Sequence, residues 1–288
     1  MTSAAARSWR DPLLGAAVMA PRELGRARSV LRLLARFAAG QGVAPSPRQL
    51  LDYDVVEAFC VRGGAERASS TRGTYRSVLY RFAGQVHGKP GQRATPFAGA
   101  PAPAPYSAGE RADLAAAARA QRDAAKRSSA LAMVIFGVGA GLRPGELAAL
   151  RGSDVTRRGG RVVVHVPAGG GRAVPVASPY AARAAELARR AGNGFVFRPG
   201  PADRGYKNFV NGFARCLAWD PGAPALSMGR ARSSFICDHL AAGTALRTLL
   251  AVTGIAEAES LARYARHVPG VTASKAALRA RWRAEATR

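Results

Sequence analysis

The sequence predicts a mainly helical α+β protein with one small β-hairpin or sheet, divided into two domains by a linker. Three observations predict it. Apolar residues recur at helical spacing along most of the chain. One stretch alone, Arg161 to Val166, is β-branched and alternating, and Gly169-Gly170-Gly171 separates it from Arg172 to Val176. Residues 91–106 are rich in Gly, Pro and Ala and end in Ala100-Pro101-Ala102-Pro103-Ala104-Pro105, a composition that stays extended.

Four segments follow: a tail over 1–24, a helical domain over 25–90, the linker over 91–106, and a second domain over 107–288. In the tail, Pro12 to Ala20 is apolar but too short to span a membrane, and it reads as a mobile or helical tail rather than a signal peptide. Val30, Leu34, Phe37 and Ala38 form a helical stripe that Gly40-Gln41-Gly42 ends. Ser46-Pro47 and Asp52 open short helical segments, with Val55, Val56 and Phe59 facing a core. Ser70 or Thr71 caps a helix that turns Tyr75, Val78, Leu79 and Phe82 inward, with Arg72 and Arg76 on another face.

The second domain opens with helices near 107–120 and 128–138. The latter ends in a glycine series, and Pro144 suits the first turn of the next helix. Gly137-Val138-Gly139-Ala140-Gly141 lacks the third glycine of a dinucleotide loop and follows a helical pattern. After the hairpin, helices are expected near 179–191, 206–218, 230–242, 245–252, 257–265 and 272–285.

The 288 residues carry 43 basic and 18 acidic side chains, a formal charge of +25. Such a charge points to a polyanion, most simply nucleic acid. All but four of the basic residues are arginine, beside abundant alanine, so compositional bias contributes too. Cys60, Cys216 and Cys237 form no C-x-x-C pair, and His87, His165, His239 and His267 have no metal-ligand spacing. Neither a disulfide framework nor a metal site is expected, and a reducing cytosol fits. No apolar run reaches about 20 residues, so no transmembrane helix is expected.

The most informative stretch runs from Gly139 to Val155. Gly141, Leu142, Arg143, Glu146, Leu147, Leu150 and Asp154 match a first arginine box, T-G-L-R-x-x-E-L-x-x-L-x-x-x-D. Leu226-Ser227-Met228-Gly229-Arg230-Ala231-Arg232-Ser233-Ser234-Phe235, with Gly243 in register, follows a second box, L-S-x-H-x-L-R-H-T-F. Leu246-Arg247-Thr248-Leu249, Gly254 and Tyr264 complete a third. In this order and spacing, the boxes resemble the tyrosine recombinase (phage integrase) family. The N-terminal unit is similar to the family's core-binding domain, whose last helix carries a pattern that Thr71, Tyr75, Leu79 and Phe82 fit.

The resemblance implies an N-terminal core-binding domain and a C-terminal catalytic domain that close around duplex DNA. It implies Tyr264 as nucleophile and Arg143 and Arg232 as the clamp on the phosphate. Guanidinium groups suit that clamp because they stay charged and present a planar fork. Glu146 and Asp154 take structural roles in this reading. No cofactor or metal is implied, because the phosphotyrosyl bond conserves the energy of the broken one.

The departures are equally specific. The histidine of the second box falls on Gly229, and the histidine or tryptophan of the third falls on Ile255. The family's hairpin lysine has no counterpart before Arg172-Ala173-Val174-Pro175. Arg172, Lys207 and His239 are the auxiliary candidates, and Arg72, Arg76 and Arg230 the candidate DNA contacts. Two functions stay open. One is a site-specific recombinase or integrase of a mobile element, forming a 3′-phosphotyrosyl intermediate. The other is a catalytically impaired accessory DNA-binding protein. The expected partners are double-stranded DNA and a homo-oligomer or partner recombinase, with no membrane, in a cytoplasmic, nucleoid-associated setting. RNA or membrane binding by charge alone is disfavoured, because no aromatic RNA platform is visible. The tail helix 272–285, anchored by Trp282, is expected to dock on its own domain or on a neighbouring protomer.

Overall fold

The computed structural model describes residues 21–268, apart from 45, 89–94, 96, 98, 100, 168–169, 199–207 and 220–221. Expectations for the tail before residue 21, for Lys207, and for the helix 272–285 with Trp282 lie outside the described residues. The chain divides into two compact units between Ala100 and Pro101.

The first unit holds α1 (Pro21–Gly40), α2 (Pro47–Leu50), α3 (Tyr53–Ala58), a π-turn over Phe59–Gly63, and α4 (Ser69–His87). Its core gathers Ala27, Val30, Leu31, Leu34 and Ala38 with Leu50, Leu51, Val56, Phe59, Leu79 and Phe82. Those positions on α1 recur every three or four residues, so burial selects one face of the helix. The Ser46 hydroxyl accepts from the Gln49 amide and caps α2, and the Asp52 carboxylate accepts from the Asp54 amide at α3. The expected cap of α4 differs. That helix starts one residue before Ser70, at Ser69, with Ala68 as N-cap and no side-chain bond.

The second unit holds α5 (Ala108–Arg119), α6 (Ala124–Ala140), α7 (Pro144–Ala149) and a 3-10 turn over Gly152–Asp154. The strands β1 (Val155–Arg158), β2 (Arg161–Val166) and β3 (Arg172–Pro175) follow. Then come α8 (Ser178–Ala191), α9 (Phe209–Ala214), α10 (Met228–Ala241), α11 (Leu246–Thr253), a 3-10 turn over Ala258–Leu261, and α12 (Ala262–Ala265). The sheet is antiparallel in the order β1-β2-β3, with Val155 opposite Val164 and Val164 opposite Val174.

α6 is the axis of this unit. Met133, Val134, Phe136 and Val138 are fully buried, and α5, α8 and α10 pack around the helix. The glycine series at its end has a packing cause. A Cβ at Gly137 would come within 2.9 Å of Ala231 on α10, and one at Gly139 within 2.7 Å of Tyr180 on α8. α6 and α10 therefore approach closely where the two arginine-bearing segments begin.

Pro101 to Tyr106, expected as the end of the linker, is built into this unit as a strap. Tyr106 is buried, its hydroxyl donating to the Ala225 carbonyl at 2.6 Å and accepting from the Ser227 amide at 2.8 Å. Arg230 of α10 donates to the Ala104 and Pro105 carbonyls, and Arg266 to that of Ala102. Among the described residues, no helix is long and apolar enough to cross a membrane.

Candidate active site

Gly141 ends α6 with φ near +59°, a left-handed conformation that costs glycine little. Its turn aims Arg143 at the start of α7, where Arg143 is the N-cap, Pro144 fills N1 and Glu146 stands at N3. The Glu146 carboxylate accepts from the Arg143 amide at 2.7 Å and from its Nη1 at 3.2 Å.

Arg172, the first residue of β3, meets the same carboxylate end-on. Nη1 and Nη2 donate to Oε1 and Oε2, each at 2.8 Å, and Nε donates to the Val252 carbonyl at 3.0 Å. Both partners are removed from water, their side chains 8% and 5% exposed. Burial alone would raise the Glu146 carboxyl. The bonds from Arg172 and from the Arg143 amide outweigh it and hold the group below the usual carboxylate range.

Arg232 comes from the first half of α10 and is buried. It donates through Nη1 to the Gly141 carbonyl and through Nη2 to the Thr253 carbonyl at 2.6 Å. Arg143 completes the set by donating through Nη2 to the Gly254 carbonyl at 2.7 Å. Val252, Thr253 and Gly254, the end of α11, thus each receive one arginine, from β3, α10 and α7 respectively. These are the carbonyls a helix leaves without intrahelical donors, at its negative end.

Desolvation, followed by the nearby charge of Arg143, pushes the Arg232 guanidinium down to about 10. It is still a cation at neutral pH. The groups that bear on its charge include Arg143, Glu146, Tyr264 and Arg172. Tyr264 on α12 is half-buried, and the Cys237 thiol of α10 reaches its carbonyl at 3.8 Å. The segments carrying Arg143 and Arg232, far apart in sequence, meet at the end of α11, and Tyr264, whose helix packs on α10, bears on the charge of Arg232.

The remaining expected residues are placed as follows. Arg172 lies within the cluster, but its Nε, Nη1 and Nη2 are all engaged by protein. His239 lies two turns beyond Arg232, its ring against Phe235 at 4.5 Å and its Nδ1 2.9 Å from the Thr244 hydroxyl; burial lowers its pKa. Arg76 bonds Glu57 and the Thr95 carbonyl, each at 2.7 Å, and lies over the Phe97 ring. Arg72 lies over the same ring, at 4.7 Å. Arg230 bonds Glu110 at 2.7 Å and covers the Tyr106 ring. Arg76 and Arg230 thus hold their own units together, whatever they do toward DNA. Asp154 accepts from the Arg151 amide and closes its 3-10 turn.

Where the second box has its histidine, a Cβ on Gly229 would meet Pro103 of the strap at 3.4 Å. Ile255 is packed against the core. Two features escaped the sequence reading. A cleft of about 320 Å³ beside Arg143 is bordered by Glu146, Asp154, His165 and Pro167. Nothing in the sequence marked His165, an outward-facing strand residue bonded to Thr156. On α1, Arg28, Arg32 and Arg36 are exposed opposite the buried face. Their spacing of four could have been read as a basic stripe.

Among the described residues no cluster of His, Cys, Asp and Glu is gathered that could hold a metal ion. No protein-family model matches the chain, and no curated protein matches it in sequence. Solved structures do match. The XerH site-specific recombinase bound to a palindromic difH substrate, in a post-cleavage complex, is 14% identical. Its TM-score is 0.59 over 84% of this chain and 75% of that one. The chain has the tyrosine recombinase fold. A lambda integrase dimer bound to a COC′ core site is 15% identical, with a TM-score of 0.55 over 92% of this chain and 95% of that one. The Tn1549 transposon integrase in complex with circular intermediate DNA is 14% identical, with a TM-score of 0.54 over 96% and 98%. At these identities the recombinase likeness is one of fold.

Proposed function

We propose that the protein is a DNA strand transferase of the tyrosine recombinase type. The Tyr264 phenol attacks a backbone phosphate, its oxygen bonds to phosphorus, and the bond to the 5′ oxygen breaks. The phenolic proton is lost and the 5′ oxygen gains one. Rejoining reverses these steps from a 3′-phosphotyrosyl intermediate. What supports the reading is that Arg143 and Arg232 both bond the end of α11 and that Tyr264 bears on the charge of Arg232. Two guanidiniums set before reaction stabilise the charge that builds on nonbridging oxygens. Duplex DNA is the substrate, and two protomers, or one with a partner recombinase, would act on it. We extend the reading to integration or excision of a mobile element in association with the nucleoid.

A second reading is favoured by Gly229, Ile255 and the hairpin without lysine. General acid and base groups contribute roughly 10²–10⁴-fold each, so a chain lacking them would act as a DNA-binding accessory protein. One experiment separates the two. A nicked suicide duplex carrying the DNA that flanks this protein's own gene is incubated with the full chain. A detergent-resistant adduct that Tyr264→Phe abolishes supports strand transfer. Tight binding with no adduct overturns it and leaves the accessory reading.

A further inference from the structure

The cluster contains one arginine more than a two-armed phosphate clamp needs. Arg172 brings the same charge as Arg143 and Arg232, yet all three of its nitrogens are engaged by protein, where the bonds of Arg143 and Arg232 run through Nη1 and Nη2. Nε, Nη1 and Nη2 end on Val252 and on both oxygens of Glu146, behind 8% exposure. Arg143 is placed differently, its side chain 46% exposed, with Nη1 on Glu146 and Nη2 on the Gly254 carbonyl.

We propose that Arg172 is a positioning residue, the keystone that locks Glu146 and the end of α11 so that Arg143 and Arg232 converge on one oxyanion. The inference rests on the strand-transfer reading for its consequence, not for its geometry. Three links make the keystone. Its fork fixes the Glu146 carboxylate, and that carboxylate fixes Arg143 through both its amide and its Nη1. Its Nε holds the Val252 carbonyl, which sets the neighbouring Thr253 and Gly254 carbonyls that receive Arg232 and Arg143. Its head fills the space beside Gly254, where an added Cβ would lie 3.2 Å from Nη1. A lysine cannot replace it, because one ammonium cannot span two carboxylate oxygens and a carbonyl.

The test uses the full chain and tungstate, a tetrahedral oxyanion, with binding followed by calorimetry. Two variants separate positioning from charge. Arg172→Lys keeps the charge, and Glu146→Gln makes the cluster more positive. Simple electrostatics expects unchanged and tighter tungstate binding. The keystone expects both variants to bind about tenfold or more weakly. Binding as tight as wild type in either folded variant, or no binding by wild type, overturns the proposal.

A measurement on wild type needs no variant. In nitrogen-15 spectra of the arginine side chains, tungstate should shift the Nε signals of Arg143 and Arg232. The Arg172 signal should stay protected from hydrogen exchange and move little. An Arg172 signal that moves as far as the other two makes it a ligand-binding group and sinks the idea. If these results hold while wild type forms no covalent adduct with DNA, the strand-transfer reading falls and the keystone stands.

Discussion

A single methyl group would test how tightly the site is built at Gly141. Its φ is positive, and an added Cβ would fall 2.4 Å from the Phe235 ring, while its carbonyl holds Arg232. Gly141→Ala should cost about 2–4 kcal/mol, combining left-handed strain with overpacking; a denaturant midpoint within error of wild type would refute that account. Glu146 gives a pH signature. Its folded pKa lies below the ordinary 4.5, so its contribution is present above 4.5 and is lost as pH falls through the lower folded value. Urea midpoints of wild type should fall between pH 6 and pH 3, and Glu146→Gln should flatten that slope. Arg143, Arg232, Tyr264 and Glu146 could be named because three boxes resemble those of a known family. Arg172's work could not, because its carboxylate partner lies 26 residues earlier and its carbonyl partner 80 residues later.

Among the elements, the strap has the clearest test. Tyr106→Phe removes one hydroxyl that both donates to Ala225 and accepts from Ser227, leaving a carbonyl and an amide short of a partner. It should cost about 1–3 kcal/mol, read as a lower melting temperature with the far-UV spectrum unchanged. The strap was not legible in sequence, since an Ala-Pro alternation looks the same free or bound. Helices with an apolar stripe were legible to within a few residues, as α8, α10 and α11 show. The strand β1 was missed because Val155-Thr156-Arg157-Arg158 is short, polar and at the sheet's edge. A signal existed: Gly159 and Gly160, with φ of +54° and +74°, form a two-residue hairpin turn. The helix expected over 206–218 is described only from Phe209 to Ala214. α12 is a single turn behind a 3-10 segment, too short to show a period.

At the scale of the whole molecule, charge dominates. A formal +25 over 288 residues predicts DNA affinity that falls steeply with salt, as each neutralised phosphate releases counterions. Replacing Arg28, Arg32 and Arg36 together by alanine should reduce the log–log salt slope by about one for every phosphate these side chains neutralise. An unchanged slope would remove α1 from the interface. Part of the positive charge is nevertheless held on protein. Pro101, Pro103 and Pro105 have no N–H, so the strap offers mainly carbonyls, and the side chains of Arg230, Arg263, Arg266 and His267 occupy them. Any polyanion that approaches this edge competes with the strap for the same donors. A long polyphosphate that draws these donors off the strap should expose residues 101–106 to protease, more at low salt than at high.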